Sequence, residues 1–197
     1  MQSELWSQPE NYSLTEHQQS ITSRLSPEDD TRITGDIGAG KTFAIRHFLR
    51  MNEIEFVYFT ASELYQKKSD LSEEVGEDFD VVVIDNFDVI PEQRSYLETI
   101  HETIELELAA FDRSVWLVLP PWHQNDWFET VIGSMDRIHI DRSQINRLTI
   151  DHVVKNLNKL YNGVEVKLDP STVTTNYGYH TIVQRFKQKL EIMDNIQ

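Results

Sequence analysis

The chain has 197 residues, 39% hydrophobic and 10% aromatic, which is enough apolar material for one sizeable folded domain and too much for a disordered chain. No run reaches the ~18 apolar residues of a membrane span, and the first residues lack the basic flank and apolar core of a secretion signal. The absence of cysteine excludes disulfides and thiolate metal sites and leads us to expect a cytoplasmic protein. The net charge of −15 favours solubility and argues against broad non-specific DNA binding, so any DNA contact should be weak or indirect.

Segments typical of strands and helices alternate from about residue 30 to residue 142. One predicted strand, 80–85, is almost wholly apolar, as expected for a central parallel strand buried on both faces. Apolar residues at helical spacing predict helices over 41–51 and 91–110, and Thr60 with Glu63 forms a capping box that opens another. This alternation predicts a parallel sheet with helical crossovers. The predicted strands are 31–34, 54–59, 80–85, 115–119 and 137–141.

The chain changes character after residue 142 and becomes helical. A helix is predicted over 149–161, with Ile150, Val153, Val154, Leu157 and Leu160 facing inward. A turn at 176–178 precedes a final helix over about 180–192. We therefore divide the chain into an N-terminal tail and entry helix (1–28), an α/β domain (29–142) and a small all-helical subdomain (143–197).

The stretch GDIGAGKT matches the pattern G-x-x-x-x-G-K-[ST] between a predicted strand and a predicted helix. Its glycines let backbone N–H groups point at a phosphate, Lys41 can reach the outer phosphates, and the Thr42 hydroxyl can bind Mg²⁺. We therefore predict a site for ATP or ADP with Mg²⁺. The alternative is a glycine turn that caps a helix and binds nothing. The candidate nucleotide ligands are Gly35, Asp36, Ile37, Gly38, Ala39, Gly40, Lys41 and Thr42.

The apolar strand 80–85 ends in Asp85, which can hold Mg²⁺ through water, or alternatively cap a loop. Hydrolysis also needs a group that orients or deprotonates the attacking water. Many P-loop ATPases place Glu directly after the metal-binding Asp, whereas here Asn86 follows, and an amide can position a water but cannot accept its proton. Asp88 is the nearest other carboxylate. Asn86 and Asp88 are therefore the candidates for positioning the water, and we predict tight nucleotide binding with slow turnover.

This layout resembles the AAA+ P-loop ATPases, and within them the bacterial initiator and helicase-loader branch (DnaA, Hda and DnaC-like proteins). The resemblance implies an α/β fold: a P-loop NTPase three-layer sandwich with a parallel five-stranded sheet, followed by a small all-helical lid subdomain. It also implies that Tyr12 lies beside the adenine. The stretches that carry the resemblance are 9–25, 35–42, 81–88 and 148–170.

The chain departs from the family pattern at three positions. The family places a polar sensor at the end of the fourth strand, where this chain has Pro120 and Pro121. A trans-acting arginine is expected before the fifth strand, and Arg137 is the candidate, with Arg142 behind it. A lid arginine should open the last helix, and His180 stands there as the candidate nucleotide ligand. The residues left to serve as the fourth-strand sensor are His123, Gln124 and Asn125.

These departures have plain alternatives. The arginines could be ordinary surface residues, and His180 could simply cap a helix. Arg185 comes more than a turn after the expected lid position. Together with Asn86, the departures imply a weakened ATPase.

Two aromatic stretches raise the question of partners. The residues Gln2, Leu5 and Trp6 resemble the Q-x-x-L-aromatic peptide that docks on bacterial sliding clamps, in which apolar anchors fill a pocket. The alternative is a disordered terminus or a tryptophan packed on the core. The tryptophans of 120–128 could likewise form a partner surface or pack a long loop.

Three functions remain open. The first is an AAA+ switch with slow ATPase activity that regulates DNA replication through nucleotide-dependent assembly, with itself or with a clamp, initiator or helicase, and without a membrane. The second is a non-hydrolysing adaptor with a structural P-loop. The third is a small-molecule P-loop kinase, which is disfavoured because its lid should be rich in arginine. The region 142–197 has only Arg142, Arg147 and Arg185.

Overall fold

The structure, a computed structural model, describes residues 12–67, 78–86, 102, 113–120, 134–140, 147–161, 165–169 and 178–194. Within these ranges, no helix has the length and apolar character needed to cross a membrane. Of the helix predicted over 91–110, the structure describes residue 102 alone, which is helical. In chain order the described elements are α1 (Glu16–Thr22), β1 (Thr31–Gly35), α2 (Lys41–Met51), β2 (Phe56–Thr60), α3 (Ala61–Lys67), β3 (Val81–Asp85), β4 (Ser114–Leu119), β5 (Asp136–Ile140), α4 (Arg147–Leu160) and α5 (Tyr179–Asp194).

The chain forms two compact units. The sheet unit comprises Arg24–Gly35 and Asn52–Ile140. The helical unit comprises Met1–Ser23, Asp36–Met51 and Asp141–Gln197. The division of the sequence at residues 28 and 142 stays a prediction.

The sheet unit is built on five parallel strands in the order β2-β3-β4-β1-β5. All five predicted strands are present, each within two residues of its expected bounds. Strands β3 and β4 are buried at every residue, which confirms that 80–85 forms a central strand. Strand β1 lies between β4 and β5, so the chain leaves the interior of the sheet at the residue where GDIGAGKT begins.

A short acidic turn aligns the amino ends of three strands. The Asp30 carboxylate accepts a hydrogen bond from the backbone N–H of Val115 at 2.8 Å, and the Asp30 carbonyl accepts one from Asp136 at 2.9 Å. The indole N–H of Trp116, a fully buried side chain, donates to the carbonyl of Asp29 at 3.1 Å. Because buried polar groups require partners, these bonds set where β1, β4 and β5 start.

The helical unit contains the core of the predicted lid. Helix α4 runs two residues earlier than predicted, from Arg147, and α5 begins at Tyr179. Four of the five residues expected to face inward on α4 are buried, while Leu160 is partly exposed. Helix α1 opens with a reciprocal capping box, in which Thr15 Oγ1 accepts from Gln18 N at 3.2 Å and Gln18 Oε1 accepts from Thr15 N at 3.0 Å. The lid core comprises Ile150, Val153, Val154, Leu157, Val166, Tyr179, Ile182 and Phe186.

Candidate nucleotide-binding site

The glycine-rich loop joins β1 to α2 as the motif predicts. Gly38 and Gly40 have φ angles of 79° and 82°, a left-handed conformation that other residues rarely adopt. The loop turns through a bond from Ala39 N to Asp36 O at 3.2 Å, and α2 begins with Ala44 N donating to Gly40 O at 3.0 Å. The sequence therefore folds locally into the curled backbone that a phosphate cradle needs.

The side chains of the loop differ in exposure. The Lys41 ammonium donates to the Asp36 carbonyl at 2.9 Å, so its positive charge lies beside the backbone of the glycine-rich loop. Ala39 is fully buried, and Thr42 is half-buried at the first turn of α2. Ile37, a predicted nucleotide ligand, is 48% exposed. That Ile37 contacts the nucleotide stays a prediction.

The first residue of α5 is bound to this loop. Tyr179 N donates to Gly38 O at 2.9 Å, which satisfies one of the N–H groups that the start of a helix leaves unpaired. A Cβ on Gly178 would overlap the Gly38 carbonyl. A Cβ on Gly40 would lie 2.9 Å from two atoms of the Tyr179 ring. Glycine is therefore required at both sites by the closeness of loop and lid.

That His180 contacts the nucleotide stays a prediction, and the lid residue bonded to the glycine-rich loop is its neighbour Tyr179. In the structure His180 is exposed, while Tyr179 is only 9% exposed. The hydroxyls of Tyr179 and Thr15 lie 2.7 Å apart and share a hydrogen bond. Burial raises the pKa of the Tyr179 phenol to about 12, against the opposing effect of the Thr15 bond. The glycine before the helix was the available signal, since it marks a turn that permits close approach.

Tyr12 lies in the same unit and is packed in an aromatic cluster. Its ring meets Phe43 edge-to-face with centroids 4.2 Å apart, and His47 donates to the Tyr12 carbonyl at 2.9 Å. Burial, followed by the charge of the nearby Tyr179 phenol, raises the pKa of Tyr12 above its usual value. The ring is 6% exposed, so it already has protein neighbours on most sides. That Tyr12 lies beside adenine stays a prediction.

Asp85 ends β3 in the sheet unit and is 4% exposed. The phenol of Tyr58 donates to its Oδ2, and the backbone N–H of Asn86 donates to Oδ1 at 2.6 Å. Asn86 is exposed and has a φ of 64°, a left-handed conformation that asparagine tolerates better than most residues. Asp88 lies outside the described residues.

The predicted metal residues have the right chemistry for Mg²⁺. The Thr42 hydroxyl and the Asp85 carboxylate are hard oxygen donors, which Mg²⁺ prefers. Among the residues that the structure describes, no group of three or more His, Cys, Asp or Glu forms a metal cage.

Arg137 is exposed on the outer strand β5. Its carbonyl accepts a hydrogen bond from the guanidinium of Arg24 at 2.5 Å, and its register partner on β1 is Arg32. Arg185 is also exposed and donates to Gln188 at 3.3 Å within α5. The other predicted sensor, arginine and clamp-peptide residues fall outside the described ranges: Gln2, Leu5, Trp6, His123, Gln124, Asn125 and Arg142.

The strand order, the glycine loop after β1 and the acidic end of β3 define a P-loop NTPase fold of the AAA+ type. Among solved structures, AMPPCP-bound DnaA from Aquifex aeolicus has a TM-score of 0.60 and 13% identity over 94% of this chain. A replication initiator DnaA bound to AMPPCP and single-stranded DNA has a TM-score of 0.59 and 14% identity over 94% of this chain. Domain III of DnaA from Thermotoga maritima has a TM-score of 0.65 and 11% identity, covering 95% of this chain and 89% of that domain.

These likenesses show the fold. The chain spans 64% of the length of each of the first two DnaA structures. No protein-family model matches the sequence, and a search of curated proteins gives no match.

Proposed function

We propose that this chain is an AAA+ nucleotide switch that binds ATP or ADP with Mg²⁺ and turns ATP over slowly. It would act as an accessory or regulator of DNA replication, like Hda or a helicase loader, through nucleotide-dependent protein assembly. The observation that carries the proposal is the hydrogen bond from Tyr179 to Gly38. It gives the phosphate-binding loop a direct contact with the lid, so a ligand at the loop has a route to another part of the protein.

The loop has the groups that a nucleotide phosphate needs. The loop backbone turns through left-handed conformations at Gly38 and Gly40, and the Lys41 ammonium is held at the Asp36 carbonyl. A phosphate offers Lys41 a negatively charged acceptor in place of a neutral carbonyl, which adds an attraction between opposite charges to the hydrogen bond. Thr42 and Asp85 are the proposed metal residues, and bound Mg²⁺ would offset phosphate charge. A protein of net charge −15 needs such local cationic groups to hold a nucleotide.

Slow turnover follows from the residue after Asp85. The Asn86 side chain can orient a water but cannot take its proton. Its left-handed backbone also sets the direction of the side chain, so replacement by Glu is not a simple exchange. Asp88 is proposed as the nearest other carboxylate that could assist.

The proposed role in DNA replication rests on the fold and on the net charge. Two of the solved relatives in fold are replication initiators bound to AMPPCP, one of them also to single-stranded DNA. The charge of −15 favours protein partners over direct DNA binding here. The proposed contacts are Arg137, exposed on β5, for a neighbouring subunit, and Gln2, Leu5 and Trp6 for a sliding clamp.

Light scattering tests the switch. The protein is measured without nucleotide, with ADP–Mg²⁺ and with ATP–Mg²⁺, as wild type and as Lys41→Ala and Arg137→Ala. We expect ATP to raise the mass of the wild type and of Arg113→Ala, an exposed arginine of the same unit, but not of the two test variants. A wild-type mass that is identical in all three solutions contradicts the assembly mechanism.

A second candidate is an adaptor with a structural P-loop. It is favoured by the internal bonds of the loop, since Lys41 and Gly38 already have partners in the protein. Under this alternative Lys41→Ala lowers stability but leaves partner binding intact. Under the switch, Lys41→Ala abolishes both nucleotide binding and the nucleotide-dependent step, so one variant separates the two functions.

A further inference from the structure

We propose that Tyr58 is a positioning residue for Asp85, and that it sets the orientation in which this carboxylate meets the Mg²⁺ of a bound nucleotide. The inference rests on the proposed function and adds a residue to it. Tyr58 belongs to no motif and lies on the outer strand β2, where sequence reasoning gave it no role.

The register of the sheet brings the two side chains together. Strands β2 and β3 are parallel, with Thr60 opposite Asp85 and Tyr58 opposite Val83. Side chains two residues apart on a strand share a face. Tyr58 therefore lies on the same face of the sheet as Asp85, two residues before Thr60, which is directly opposite it. The phenol side chain is long enough to span this offset of two residues, and its hydroxyl donates to Asp85 Oδ2.

The carboxylate is thereby held at both oxygens. Asn86 N donates to Oδ1 at 2.6 Å, while Tyr58 holds Oδ2. Two donors on opposite oxygens fix the plane of the group, which one donor would leave free to rotate. A carboxylate has about four lone-pair sites, so it can accept these bonds and also a bond from a metal-bound water.

Burial makes this arrangement costly to lose. Asp85 is 4% exposed, and a buried carboxylate needs hydrogen-bond donors. Groups that orient a metal ligand without touching the metal commonly contribute about 10- to 100-fold to metal affinity. Tyr58 has the geometry of such a group: it is half-buried, bonded to the ligand and anchored in a strand.

The test separates positioning from packing. Affinity for a fluorescent ATP analogue is measured in EDTA and in saturating Mg²⁺, and the ratio of the two isolates the metal contribution. For Tyr58→Phe we expect this ratio to fall about 10-fold while the affinity in EDTA is unchanged. In Tyr58→His the ring is shorter than the phenol that reaches Asp85, so the ratio should fall as it does in Tyr58→Phe. Tyr161→Phe, a tyrosine packed on Phe186 in the lid core, is the control and should leave the ratio at the wild-type value.

Each outcome of these measurements supports or contradicts the role of Tyr58. A wild-type ratio in Tyr58→Phe overturns the proposal, and so does an equal loss of affinity in EDTA and in Mg²⁺, because that points to packing. Thermal unfolding of each variant shows that it is folded, and Tyr58→His serves alone should the Phe variant not fold. A wild type that binds no nucleotide contradicts the proposed function itself. A wild type that binds but gains nothing from Mg²⁺ overturns only the role of Asp85 and Tyr58.

Discussion

The backbone N–H of Tyr179 lies 2.9 Å from the carbonyl oxygen of Gly38, so the first residue of α5 is bonded to the middle of the glycine-rich loop. The contact joins two segments that are far apart in the sequence but belong to one compact unit. It requires small residues on both sides, and it therefore gives sharp expectations for substitutions.

Substitution of Gly178 should release the lid from the loop. In Gly178→Ala a Cβ meets the Gly38 carbonyl, and the φ of 59° is unfavourable for alanine, at a cost of about 1–2 kcal/mol. Gly178→Asn tolerates that φ but adds the same Cβ. We expect both variants to lose stability in denaturant titration and to bind nucleotide more weakly. Full rescue by asparagine would show that backbone conformation, rather than closeness, requires glycine.

The buried phenol of Tyr179 should make stability fall at high pH. Its pKa is raised from 10.0 to about 12 in the folded protein, so between these values the unfolded chain holds fewer protons. The stabilising effect is therefore complete below pH 10 and is lost as the pH rises toward 12, by about 2–3 kcal/mol.

The measurement is the free energy of unfolding from pH 9 upward. Tyr179→Phe should show a shallower decline than the wild type, while Tyr161→Phe should not. Tyr12, whose pKa is also raised by burial, keeps part of the decline in every variant. Parallel curves for the wild type and Tyr179→Phe would contradict the expectation.

The Asn86 side chain should limit ATP hydrolysis, and asparagine should suit the left-handed backbone conformation at this position. Asn86→Glu supplies a proton acceptor and is expected to raise kcat at least about 10-fold, within the usual contribution of a general base. The left-handed φ of 64° should make the same change cost about 1 kcal/mol, whereas Asn86→Gly should not lower stability. Single-turnover hydrolysis and thermal unfolding measure the two effects. An unchanged kcat would mean that this position does not face the attacked phosphate.

Asn156 should matter for nucleotide binding as well as for stability. It is 1% exposed, and its Nδ2 donates to the carbonyl of Ser13 at 2.9 Å, next to Tyr12. Asn156→Ala leaves buried polar groups without that partner and should cost about 1–3 kcal/mol. Because the bond fixes the segment that carries Tyr12, nucleotide affinity should fall too.

Asn158 is the matched control for that prediction. Its side chain bonds both the N–H and the carbonyl of Val166, each at 2.9 Å, within the lid. Asn158→Ala should lower stability by a similar amount and change nucleotide affinity less than about twofold. Equal losses of affinity in both variants would point to general destabilisation of the lid.

The parts of this protein that could be predicted are those encoded locally. The conformations of GDIGAGKT and of the apolar strand that ends in Asp85 are determined by a few adjacent residues. The same holds for the capping box of Thr60 and Glu63, which is present with hydrogen bonds of 2.7 and 3.2 Å. The parts that could not be predicted depend on the register between strands and on which residue of α5 lies against the glycine-rich loop. Tyr58 reaches Asp85 only because β2 pairs with β3 in one register, and Tyr179 rather than His180 meets the loop because α5 begins one residue earlier than expected.

Thr15 has two partners that belong to different parts of the helical unit. Its hydroxyl accepts from Gln18 N to start α1, and it also shares a bond with the hydroxyl of Tyr179 on α5. The start of one helix thus depends on where another helix stands. Any motion that draws Tyr179 away changes the acceptor that protects the Gln18 amide. Hydrogen–deuterium exchange of that single amide should therefore report the position of α5 in solution, without an attached probe.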